Sequence, residues 1–87
     1  MERTVEITNR AGIHVRPAAK IAEISNKYKS EIVFVKDNVE INAKSIMDVL
    51  TLMAGQGAKI VIRAEGPDAE QALNELEALI ISKFNED

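Results

Sequence analysis

The chain has 87 residues, 46% of them apolar, enough for one two-layer domain over residues 1–87 and too few for a second core. With no cysteine, a disulfide framework and any thiolate metal site are excluded, and a reducing compartment is the natural setting. A net charge of −3, with two phenylalanines and one tyrosine, excludes the basic, base-stacking surface of a general nucleic-acid binder. The start, Met1-Glu2-Arg3-Thr4, lacks the apolar run of a signal peptide, and no stretch is long enough to insert into a membrane. A cytoplasmic protein is expected.

Thr4-Val5-Glu6-Ile7-Thr8 alternates apolar and polar residues, as a half-buried strand does. Asn9 to Gly12 is a loop. Val15 through Tyr28 then has helical spacing, with Ala18, Ile21, Ala22, Ser25 and Tyr28 on one face and Arg16, Lys20, Glu23 and Lys27 on the other. Ile32-Val33-Phe34-Val35 is a β-branched run. Asp37-Asn38 forms a tight turn of unassigned type, and Val39-Glu40-Ile41-Asn42 returns as the hairpin partner. Ser45 to Met53 reads as a short helix stopped by Gly55-Gln56-Gly57, and Lys59 to Arg63 as a fourth strand. A long packing helix opens at Gly66-Pro67-Asp68 and carries Ala69, Ala72, Leu73, Leu76, Leu79, Ile80 and Phe84 at helical spacing. The order β-α-β-β-α-β-α predicts a two-layer α+β fold, with three helices over one face of a four-stranded sheet. Pattern alone leaves the strand order open.

The chemistry concentrates at Gly12-Ile13-His14-Val15-Arg16-Pro17. Proline is accepted only in the first turn of the helix, which places His14, the single histidine, at or beside the N-cap. The peptide N–H groups that follow have no intrahelical partner, and the positive helix end favours an anion there. An imidazole nitrogen next to an anion site is a nucleophile beside a place to hold what it attacks. A phosphoryl group would suit both, with Arg16 donating in a forked geometry and Gly12 giving the loop its freedom. The lack of cysteine and of a second histidine argues against a metal role for His14. No cofactor is implied.

These residues, Gly12-Ile13-His14-Val15-Arg16-Pro17-Ala18-Ala19, resemble the active-site segment of the HPr family, the histidine-containing phosphocarriers of the bacterial phosphotransferase system. Asn42-Ala43-Lys44-Ser45-Ile46-Met47-Asp48-Val49-Leu50 resembles that family's serine-bearing helix, and the likeness runs from about Thr4 to about Phe84. Two departures are Val15, where many relatives carry alanine, and Asp48, where glycine is frequent in the branch with a regulatory serine. The resemblance implies an open-faced antiparallel sheet in the order 1-4-2-3. It implies a monomeric carrier that takes phosphate from enzyme I onto Nδ1 of His14 and passes it to a IIA protein for sugar uptake. Arg16 steadies the phosphoryl group, and Gly12, Val15 and Pro17 shape its loop and helix end. Ile46 and Met47 match the family's docking surface. Leu50 reads equally as core or interface, and Lys20 equally as solvated face or partner contact.

Ser45 has two readings. With Asp48 three residues on it forms a capping box. By resemblance it is also a target for an HPr kinase/phosphorylase, although Asp48 would crowd a phosphate there. The resemblance has a second branch, a nitrogen-related carrier feeding a regulatory IIA protein, with some likeness in Val5-Glu6-Ile7-Thr8-Asn9 and Ala64-Glu65-Gly66-Pro67. A binding protein signalled by phosphoserine at Ser45, with an idle His14, is the rival from another class.

Overall fold

The computed structural model describes residues 1–86. Its elements are β1 (Glu2–Glu6), α1 (Val15–Ser25), β2 (Glu31–Lys36), β3 (Val39–Asn42), α2 (Ile46–Thr51), β4 (Lys59–Glu65) and α3 (Ala69–Ile81), followed by a 3-10 turn at Lys83–Asn85. The strands form one sheet in the order β1-β4-β2-β3, antiparallel throughout. This is the expected order and the expected two-layer fold. Alternation decides which face is covered: Val5, Ile7, Ile32, Phe34, Ile60, Ile62 and Ala64 are buried. Against them pack Ala18 and Ile21 of α1, Val49 of α2, and Leu73, Leu76 and Ile80 of α3. The other face is open, with Val33, Val35 and Val61 half-buried and Arg63 reaching Glu2 at 3.6 Å and Glu40 at 3.4 Å.

Element ends depart from the sequence reading for local reasons. β1 begins two residues early because its register is set by β4, from Glu2 opposite Arg63 to Glu6 opposite Lys59. Ile7 continues that contact through its N–H to the Ala58 carbonyl at 2.8 Å. α1 stops at Ser25, not Tyr28, because the Asn26 side-chain amide donates to the carbonyls of Ala22 and Lys44 at 2.8 and 2.9 Å. α2 is shorter than Ser45–Met53, and Met53 already has a left-handed backbone at φ 51°. The hairpin turn is left-handed at both Asp37 and Asn38, φ 51° and 68°, as a type I′ turn requires and as Asn and Asp tolerate best among non-glycine residues.

The largest revision lies at the C-terminus. Phe84 is not on the packing helix. Lys83, Phe84 and Asn85 all have φ near +58° (58°, 57° and 59°), which reverses the chain after Ser82. Phe84 is wholly buried all the same, inserted into the core from this turn. The Lys20 amine donates to the Phe84 carbonyl and pins the turn to α1.

The start of α3 is locked onto the segment before β2. Asp68 accepts from the Ser30 hydroxyl at 2.5 Å and from the backbone N–H groups of Lys29 and Ser30 at 2.9 and 3.0 Å. The Ser30 hydroxyl foremost, then the Lys29 N–H, lowers the Asp68 carboxyl from its ordinary 3.8 to about 2. A depressed carboxyl stabilises the fold above its unfolded value and loses that contribution as pH falls through the folded one. The thermal midpoint of the wild type should therefore approach that of Asp68→Asn as pH drops from about 4 to about 2. A constant gap between the two across that window, measured by circular dichroism melts, would contradict this role.

Candidate functional site

The loop from Asn9 to Gly12 is closed on itself before it delivers His14. Asn9 is buried and donates from its side-chain amide to the Gly12 carbonyl at 2.8 Å, while the Gly12 N–H returns to the Asn9 carbonyl at 3.2 Å. Gly12 sits at φ 67° against the segment after α2. A Cβ there would lie 2.5 Å from the Ala54 carbonyl oxygen and 2.8 Å from the Gly55 Cα. That same Ala54 carbonyl accepts the Ile13 N–H at 2.8 Å. The residue before His14 is thus held to the chain that follows α2, with Ile13 itself buried.

His14 is the N-cap of α1, in extended backbone at φ −105° and ψ −164°, and its side chain makes no capping hydrogen bond. Its carbonyl receives the first helical bond, from the Ala18 N–H at 2.9 Å. The N–H groups of Val15 and Arg16 precede that bond and point off the helix end, and Pro17 has none to satisfy. The His14 side chain is 44% exposed and the Arg16 side chain 74%. Together with Val15, Ala19 and Glu86 they line an open depression. Imidazole, guanidinium and helix end are therefore adjacent at the surface, as the sequence predicts.

Glu86 was not anticipated. Its Oε1 lies 3.2 Å from His14 Nε2 and its Oε2 3.6 Å from Arg16 Nη1, and its side chain is only 14% exposed. Lys20, expected either at the solvated face or at a partner, has its amine on the Phe84 carbonyl, two residues from this carboxylate.

Ser45 is the N-cap of α2, and its Oγ accepts the Asp48 N–H at 3.2 Å. Only half of the expected capping box is present, because the Ser45 N–H donates to the Asn42 carbonyl at 3.1 Å. Ile46 and Met47 are exposed, by 41% and 73%, whereas Leu50 packs against the core. A groove between α1 and α2, lined by Ala19, Ala22, Ser45, Ile46 and Met47, joins the His14 depression at Ala19. Val15, strongly exposed and lining the His14 depression, extends this apolar surface, and Met53 is strongly exposed after α2. Neither was singled out as apolar surface in the sequence, because an isolated Val or Met carries no periodic signal of exposure. Among the described residues, no helix is long and apolar enough to cross a membrane.

Comparison with known proteins agrees with this geometry. Residues 1–82 match the family described as PTS HPr component phosphorylation site. The chain is 44% identical over 85 residues to phosphocarrier protein HPr of Treponema pallidum (strain Nichols), covering 98% of this chain and 97% of that one. It is 39% identical over 88 residues to phosphocarrier protein NPr of Escherichia coli (strain K12), covering 100% and 98%. The crystal structure of HPr-C-His from Thermoanaerobacter tengcongensis superposes with a TM-score of 0.96 at 45% identity, over 100% of this chain and 98% of that one. A crystal structure of an HPr dimer from the same organism superposes at 0.80 and 45%, over 99% of each chain. Fold and matches define a phosphocarrier of the phosphotransferase system. The chain belongs to the HPr family.

Proposed function

We propose that this chain accepts a phosphoryl group from phosphorylated enzyme I on Nδ1 of His14 and gives it to a histidine of a IIA protein in sugar uptake. The observation that carries the reading is an accessible imidazole at the N-terminus of α1 with the Arg16 guanidinium two residues on. The Nδ1 lone pair attacks phosphorus as the donor's phosphorus–nitrogen bond breaks, and the donor's histidine keeps that electron pair. The phosphoryl oxygens then meet the Val15 and Arg16 N–H groups and the guanidinium. Because the site is open, the group is held by few contacts and the same line of attack is free for the acceptor. Docking falls to the apolar surface of Val15, Ile46 and Met47 beside the histidine, a pattern typical of a protein-binding patch. The reading implies a cytoplasmic carrier working as a monomer, so that the groove between α1 and α2 is open to partners.

A nitrogen-related relay is the second reading, favoured by the full-length similarity to E. coli NPr. Two reconstituted relays decide between them, one with sugar-type enzyme I and IIA and one with nitrogen-type partners. Phosphoryl transfer at least tenfold faster through the sugar set supports the first reading, and the reverse order replaces it with the second. For Ser45 the cap is the role we favour. A phosphate added by an HPr kinase/phosphorylase could still accept the Asp48 N–H that the Ser45 oxygen now accepts, but it would lie close to the carboxylate of Asp48.

A further inference from the structure

We propose that Glu86 is a positioning residue for His14, holding the ring proton on Nε2 both when the phosphoryl group arrives and when it leaves. The inference rests on the carrier reading of His14. A carboxylate has only acceptor oxygens, so the 3.2 Å contact between Oε1 and Nε2 is a hydrogen bond only when Nε2 carries the proton. In the neutral ring this leaves the lone pair on Nδ1, the ring's other nitrogen.

The placement of Glu86 is built into the chain. Phe84 is anchored in the core, Lys20 grips its carbonyl, and three consecutive left-handed residues turn the following carboxylate back over the start of α1. The second oxygen, Oε2, is buried and has no hydrogen-bond donor among the described residues. It lies 3.6 Å from Arg16 Nη1, within ion-pair distance. The carboxylate is thus shared between the two side chains that the phosphoryl group must meet.

The proton arithmetic gives the contact a role in both directions. On uptake, Nδ1 forms its bond to phosphorus with its own lone pair. The Nε2 proton stays in place, and the ring becomes a phosphorylated imidazolium whose positive charge faces Glu86. On release, the phosphorus–nitrogen bond breaks toward the ring and leaves neutral imidazole, again with Nε2–H. A ring that had lost that proton would have to leave as imidazolate, a far poorer leaving group. The arrangement follows the logic by which a carboxylate fixes the tautomer of a catalytic or metal-binding histidine through its other nitrogen.

The test uses full-length protein with nitrogen-15 in the imidazole, as wild type, Glu86→Ala and Glu86→Gln. Ring nitrogen shifts are recorded in alkaline buffer, and single-turnover uptake and release are then measured with enzyme I and IIA. Wild type should be mainly the Nε2–H tautomer. Glu86→Ala should lose that preference and slow both steps roughly tenfold, the lower end of what removing such a partner costs. Glu86→Gln, whose amide oxygen still accepts, should restore the tautomer and uptake but not release, since it brings no charge to hold the imidazolium proton. Wild-type tautomer populations in Glu86→Ala would overturn the proposal, as would altered populations with both rates unchanged. If the wild type itself takes up no phosphoryl group, the carrier reading fails instead, and the spectra still decide the Glu86 contact by the same criterion.

Discussion

His14→Ala should pass no phosphoryl group from enzyme I to a IIA protein while melting within a few degrees of the wild type. The side chain is at the surface, makes no capping hydrogen bond and is absent from the core, so its removal leaves packing intact. Surface substitutions of this kind usually change stability by no more than about 0.5 kcal/mol, or ~2–4 °C for a domain of this size. The chemical loss is complete, because the chain has no other imidazole to accept the group. Label transfer to the IIA protein, with circular dichroism melts on the same sample, separates the two effects. Transfer through His14→Ala at more than a trace of the wild-type rate would remove the histidine from the account.

Gly12→Ala should be the most damaging small substitution near the site. A non-glycine residue at φ 67° costs about 1–2 kcal/mol. The new Cβ would also press on the Ala54 carbonyl at 2.5 Å and the Gly55 Cα at 2.8 Å, both backbone atoms. Overpacking of that kind adds about 1–3 kcal/mol, giving a total of about 2–5 kcal/mol. For a domain of 60–100 residues, this lowers the melting temperature by roughly 10 °C or more. Function should suffer with stability, because the displaced Ala54 carbonyl is the one that holds the Ile13 N–H next to His14. Melts and uptake rates at a temperature where the variant is folded check both parts. A variant as stable as the wild type would show that the loop relaxes in a way this close approach does not allow.

Much of the site was legible because it obeys local rules. A proline accepted only in the first turn of a helix fixes where α1 begins, and that alone puts His14 on the N-cap with Arg16 beside it. The burial of Ile32, Phe34, Ile60 and Ile62 follows from strand alternation. What could not be read depended on distant partners or on backbone that side-chain type does not announce. The start of β1 is decided by its register with β4. The end of α1 is decided by an Asn26 amide that also reaches Lys44. Phe84 continues the helical spacing of α3, and no glycine warns of the left-handed turn that carries it. Glu86 carries no local signal of its contact, because its partner lies 72 positions away. Strand order came from the family resemblance, since alternation says which face is inward but not which strands are neighbours.

The most direct measurement is the intact mass of the wild-type protein after incubation with phosphoenolpyruvate, magnesium and catalytic enzyme I, followed by peptide mapping under mildly alkaline conditions. The account predicts one phosphoryl group, labile to acid, on the peptide that contains His14. No mass gain beside a working control carrier, or an acid-stable group mapping to Ser45, would contradict it.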